Sequence, residues 1–270
     1  MGSGGFFNYE KAGPGVKKDA PQKKGFFTFF EIWLRNFWKL IPVSAVWVLS
    51  QLLIVTCGLG EAGMANVCRN LARDKHSFGI SDFFSTIKKN WKQALPAGII
   101  NLAATVLLLL AGRFYFKGEG LINILAFGFT AAIFIIFTFI KYHIWLLIIT
   151  FKLPLKKMYK NCFLFTFINI KSNLIIGLCS ILVTGGVCAL FLIPNSIAYT
   201  IAAFLLICVV PGFVGLMIQM LIFPKVKKLM IDPYYAEHPD EDKEVRRNLG
   251  LEVEEDEENL FDDTHPQTEE

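Results

Sequence analysis

Ahead of residue 236 the chain holds eight acidic side chains, Glu10, Asp19, Glu31, Glu61, Asp74, Asp82, Glu119 and Asp232, and two histidines, His76 and His143. Acid–base catalysis or metal-assisted hydrolysis needs such groups to converge in space. None is spaced as a motif: there is no HExxH, no GxSxG and no phosphate-binding glycine loop. The densest group, Asp74, Lys75 and His76, has a sharp reading as a proton-transfer cluster and an ordinary one as solvated loop charges, and the ordinary one is adopted. The six cysteines form no CxxC pair and mostly lie in apolar runs, where cysteine acts as a small hydrophobe. The expectation is a protein without catalytic residues, cofactor or metal.

Solute transport leaves a different trace, namely ionisable groups at mid-membrane and helices broken at the binding site. Lys141 and His143 are the ionisable pair closest to a long apolar run. Twenty residues after Leu121 they should have reached the interface, so they are read with Tyr142 and Trp145 as interfacial anchors. Trp33, Arg35, Trp38, Lys39, Trp91 and Lys92 are assigned the same role. The run VVPGFVG places Pro211, Gly212 and Gly215 together, either as a helix kink with close packing or as the frame of a cavity.

These residues depend on elements that composition announces. The chain has 270 residues, 54% of them hydrophobic and 14% aromatic. Its long apolar runs mark an all-α, polytopic membrane bundle. The net charge of +4 conceals an asymmetry, because residues 236–270 carry −12 and the remainder +16. Three regions follow: a flexible basic arm at 1–25, a transmembrane helical domain at 26–235 and a disordered acidic tail at 236–270. No cleavable signal sequence is visible.

Five segments have the length of full spans: about 41–57, 93–112, 121–140, 174–193 and 197–223. Five alternating crossings divide the connecting lysines and arginines 9 to 14, which is hardly a bias. If the chain instead turns at Gly58-Leu59-Gly60 and residues 62–73 return as a short helix, the division becomes 21 to 2, with both termini in the cytoplasm. Gly58, Gly60 and Gly63 then serve the turn and the close approach of helices, and Glu61 sits near a helix N-terminus. Two amphipathic segments, 26–39 and 81–92, are expected along the inner leaflet, the second capped by Ser81 with Asp82 in its first turn. Packing against another helix remains the alternative for the first. The apolar turn after Lys141, IWLLIITF, needs cover, which these two helices would supply.

The expected partners are the lipid bilayer, membrane transporter subunits and, for the tail with its apolar beads Leu249, Leu251, Leu260 and Phe261, a cytoplasmic protein. Solvation alone is the ordinary reading of such a tail. Basic patches at span ends are explained by topology, so no nucleic acid is expected.

The order FFNYEK, GPGV, KKDAP, GFFTFFEIWLRNFWKLI, GLGEAG, CRNLARDKHSFGISDFFSTIKKNWKQA and a late DPYY with an acidic tail resembles the YesL family of predicted integral membrane proteins of Gram-positive bacteria. The likeness is best over residues 5–95 and returns at the C-terminus. That family usually carries a proline after the first glycine of the turn, where this chain has Leu59. The resemblance implies a plasma-membrane protein associated with carbohydrate uptake systems, and it brings no established activity. The expectation is therefore a non-catalytic accessory or assembly partner, with a small-solute transporter or channel as the alternative.

Overall fold

The computed structural model describes residues 25–233 apart from His76. The arm before Gly25, the acidic tail and His76 lie outside the described residues. Among the described residues 91% are helical and none forms a strand. The helices are α1 (Gly25–Arg35), α2 (Phe37–Leu52), α3 (Cys57–Ala72), α4 (Ile80–Lys117), α5 (Leu121–Thr150), α6 (Leu155–Ile168), α7 (Ile170–Ala189), α8 (Ser196–Phe204) and α9 (Val210–Val226). Four helical stretches are long and apolar enough to cross a membrane: Ile80–Lys117, Leu121–Thr150, Ile170–Leu192 and Ser196–Ile231.

Helix α3 sits at the centre. It packs on α2, α4, α5 and α9, and ten of its residues are buried. In hydrocarbon there is little hydrophobic drive to bring helices together, so association relies on close packing, which small residues permit. Gly58 of α3 meets Gly98 of α4 backbone to backbone. A Cβ on Gly98 would lie 2.5 Å from the Gly58 Cα, and one on Gly58 would collide with the Ala94 carbonyl oxygen. Ala62, Ala65, Ala94 and Ala97 extend the seam and are buried. One turn further, Gly63 seats the ring of Phe83.

The turn into α3 differs from the expected one. The chain reverses through a 3₁₀ turn at Ile54–Thr56 after an extended Leu53, and Thr56 Oγ1 donates to the Ser50 carbonyl oxygen at 2.8 Å. Gly58, Gly60 and Gly63 are all helical and act as contact surfaces. The helix thus starts earlier than residue 62, and Glu61 lies a turn inside it. At its other end Asp74 takes φ 54°, with Asp74 N–H donating to the Leu71 carbonyl and Lys75 N–H to the Asn70 carbonyl. That pair of bonds is a Schellman cap, in which aspartate holds the left-handed position usually given to glycine.

The two expected surface helices also differ. Residues 80–92 run without a break into the following span as α4, about 57 Å long. Gly79, not Ser81, precedes its first turn, and Asp82 Oδ2 accepts from Ser77 Oγ and Phe78 N–H. Phe83 is buried against α3, while Phe84 and Trp91 stay exposed. In the first segment the chain bends at the buried Asn36, dividing α1 from α2. Phe29, Phe30 and Trp33 stack around Phe213 of α9, which is the helix-packing alternative. Trp38, Arg35 and Lys39 are exposed.

Helix α5 runs unbroken from Leu121 to Thr150, and its last turns are covered chiefly by α3, α4 and α6. Ile144, Trp145, Leu147 and Ile148 cluster with Met158 and Cys162 of α6. Hydropathy does not announce α6, because Lys156, Lys157 and Lys160 interrupt its apolar residues.

Candidate functional site

Between α2, α3, α5, α7 and the start of α9 lies a cavity of about 420 Å³, within the range of small-ligand sites. Its charged groups are Glu61 from α3 and Lys141 from α5. They face each other electrostatically, and among the described residues no ion pair joins them. The rest of the lining combines aromatic surface from Trp47, Tyr142 and Trp145 with polar groups from Thr138, Ser180, Thr184 and Gln219.

Some of these polar atoms have nothing to bond. Trp47 Nε1, Ser180 Oγ and Gln219 Oε1 are shielded from solvent. The indole N–H of Trp47 is directed at the Glu61 carboxylate, so that Ser180 and Gln219 are left without partners. Gln219 is 3% exposed, so its free carbonyl oxygen is a buried cost that a donor in the cavity would remove.

The backbone behind the cavity is irregular. Between α8 and α9, residues Leu205–Val209 form a π turn, directly before Pro211, which has no N–H to continue the helical ladder. Leu206, Val210, Pro211 and Gly215 line the space the widened turn leaves. Such bulges cost regular hydrogen bonding and recur at functional sites. Of the expected kink-or-cavity group, Pro211 and Gly215 belong to the cavity. Gly212 instead packs on α2, where a Cβ would stand 2.8 Å from Ser44 Oγ.

The anchors assigned to α5 face other helices. Lys141 and Tyr142 turn into the cavity, Trp145 is buried at its edge, and His143 is fully buried on the other side of α5. His143 Nδ1 donates to the Phe139 carbonyl at 2.9 Å, because a carbonyl can only accept. Nε2 therefore accepts from Asn169 Nδ2 at 3.2 Å, which sets the neutral tautomer. Nearby, Asn173 Nδ2 donates to the Thr166 carbonyl and Lys225 Nζ to Ser172 Oγ. Trp91 and Lys92 lie together on α4, with Lys92 Nζ 5.9 Å from the indole centroid.

Glu61, Asp74 and His143 do not meet. Asp74 pairs with Arg35 at the end of α3, and His143 belongs to the asparagine cluster. Among the described residues no group of three His, Cys, Asp or Glu side chains is placed to hold a metal ion. The shared cavity of Glu61 and Lys141 was missed because nothing along the chain links the two; the one available signal was that each is a lone charge beside apolar sequence.

These features define a helical protein of membrane-spanning type with a largely apolar cavity between its helices that holds one acidic and one basic side chain. A family described as "Protein of unknown function, DUF624", which includes YesL-like proteins, matches residues 40–111. The matched stretch covers most of α2, all of α3 and most of α4, and so supplies Trp47, Glu61 and the glycine seam. No curated protein and no solved structure matches the chain.

Proposed function

We propose that this is a plasma-membrane protein with five full spans and α3 as a short returning passage, both termini cytoplasmic, whose inter-helix cavity binds a small polar solute. One observation carries the reading. Glu61 and Lys141 face a common cavity together with the Trp47 indole and the shielded, unpaired Gln219 carbonyl. Ionisable groups are costly in a bilayer and persist there chiefly for function. An anionic acceptor, a cationic donor, a free amide oxygen and aromatic planes suit a hydroxyl-rich or zwitterionic molecule of about monosaccharide size. The role proposed is binding and passage without covalent chemistry.

Liposomes containing the purified full-length protein test this. A radiolabelled panel of glucose, glycerol and glycine betaine should include one solute that accumulates, and Glu61→Gln should abolish its uptake. Failure of every solute either to enter or to raise the protein's Tm would sink the reading.

The second reading, an accessory or assembly partner of a carbohydrate uptake system, rests on the YesL resemblance and the match over residues 40–111. Crosslinking and affinity purification from native membrane, with and without residues 236–270, separates the two. Recovered transporter subunits without uptake in liposomes would favour the partner role, with the acidic tail as the docking element.

A further inference from the structure

Helix α3 ends in two arginines one turn apart, and neither behaves like a charge placed only to set topology. Such a charge belongs in water or among headgroups, reached by snorkelling. Arg69 is instead 6% exposed. Its Nη1 donates to Thr150 Oγ1 at 3.2 Å and its Nη2 to Asn66 Oδ1 at 2.7 Å, while Nε is shielded and has no partner. Arg73 lies over the Phe223 ring, 5.1 Å from its centroid, with Nη1 and Nη2 both shielded and unpartnered. The acid nearest in sequence, Asp74, is engaged by Arg35. Among the described residues neither guanidinium is paired with a carboxylate.

Like charges four residues apart on a helix repel, and Lys75 adds to the same positive field. Burial, then the proximity of Arg73 and Arg69, holds the Lys75 ammonium below the usual lysine value. A cleft of about 360 Å³ lined by Arg35, Asn36, Lys39, Leu71, Asp74 and Lys75 opens beside this helix end, adjoining the two arginines in the chain without being lined by them. The Schellman cap at Asp74 satisfies the final carbonyls of α3 through backbone N–H groups, so the arginine donors are not needed there. Three shielded N–H-bearing atoms on two cations therefore await an acceptor with more than one oxygen, and a phosphate-type oxyanion fits the guanidinium fork.

We infer that Arg69 and Arg73 form an oxyanion site at the cytoplasmic end of α3 that takes a phosphate group, supplied either by the headgroup of an anionic inner-leaflet lipid or by a soluble phosphate. The site is separate from the Glu61 cavity and stands whether or not that cavity carries solute.

The test is thermal unfolding of the purified full-length protein in neutral detergent, followed by tryptophan fluorescence at constant ionic strength set with chloride. Dihexanoyl phosphatidylglycerol, dihexanoyl phosphatidylcholine and inorganic phosphate are titrated separately. A saturable rise in Tm with phosphatidylglycerol but not with inorganic phosphate identifies a lipid headgroup, and a rise with inorganic phosphate identifies a soluble ligand. Arg73→Gln should weaken the midpoint at least about tenfold, and Arg73→Lys, which keeps the charge and loses the fork, by an intermediate factor. Arg73 is the primary site of substitution because Arg69 also ties α3 to Thr150 of α5. The inference is overturned if neither probe gives a saturable shift. It is equally overturned if Arg73→Gln lowers the starting Tm while leaving the midpoint unchanged, which is what a purely structural arginine would do.

Discussion

Helix α3 and the outer hairpin made by the second half of α4 and the first half of α5 invert the rule familiar from soluble proteins. Helix α3 is rich in glycine, alanine and polar side chains and is the most enclosed element of the fold. The hairpin is dense in leucine, isoleucine and phenylalanine, and in the first half of α5 Thr130 alone is buried. Leu107, Phe114, Ile122 and Phe129 point outward. The space between the two hairpin arms is lined almost wholly by apolar side chains. In a bilayer the surroundings are as apolar as leucine, so hydrophobicity decides which segments enter the membrane and not which face turns inward. Inside is where backbones come close and where polar groups find one another.

The contrast is sharpest at its glycines. Gly98→Leu, at the α3–α4 crossing, should cost about 3 kcal/mol or more and leave little folded protein in detergent, because the opposing group is backbone and cannot move aside. Gly128→Leu, in open space on α5, should shift Tm within the scatter of surface substitutions, about 0.5 kcal/mol. Equal effects would mean that the seam is not the organising contact.

Next in size are the cavity charges. Glu61→Gln and Lys141→Met should each weaken solute-dependent stabilisation at least about tenfold, the consequence of losing a charge-assisted contact. Thr130→Ala, whose hydroxyl only bonds the Ala126 carbonyl on its own helix, should leave it unchanged. Wild-type binding in the Glu61 variant would break the distinction between a polar interior and an inert hairpin.

A smaller effect is expected at His143. His143→Phe keeps the aromatic volume beside Phe165 but strands the Asn169 amide, which should cost about 1–3 kcal/mol in chemical unfolding. Smallest is Asp74→Gly. Glycine relieves the left-handed backbone while losing an exposed pair with Arg35, and such pairs are worth about 0–1 kcal/mol. The two nearly cancel, so unfolding should shift by no more than about 0.5 kcal/mol, whereas β-branched Asp74→Val should destabilise clearly.

Much of the architecture was legible along the chain. The apolar runs mark four stretches long enough to cross a membrane, and the expected short helix ahead of the basic cluster from Arg69 to Lys75 is present as α3. The turn was placed too late because Gly58-Leu59-Gly60 has the residue types of a reversal. The same glycines are equally what a tight helix crossing needs, and only the neighbouring Gly98 decides between the two. Helix α6 was unassigned because its lysines hide its apolar stripe, and segment 81–92 was laid along the leaflet although its Phe83 packs on Gly63. Both depend on which neighbour occupies a face.

What the sequence determined by itself is the medium: the length and hydropathy of α4, α5, α7 and the α8–α9 stretch make a helical membrane protein, since a helix satisfies its own backbone and needs no partner to enter hydrocarbon. What only the tertiary structure decided is the company each side chain keeps. Lys141 and His143 are two residues apart on one helix, yet one faces a cavity carboxylate and the other an asparagine cluster. The helical repeat turns them to different sides, and which helices wait on those sides is a matter of packing between segments far apart in the chain.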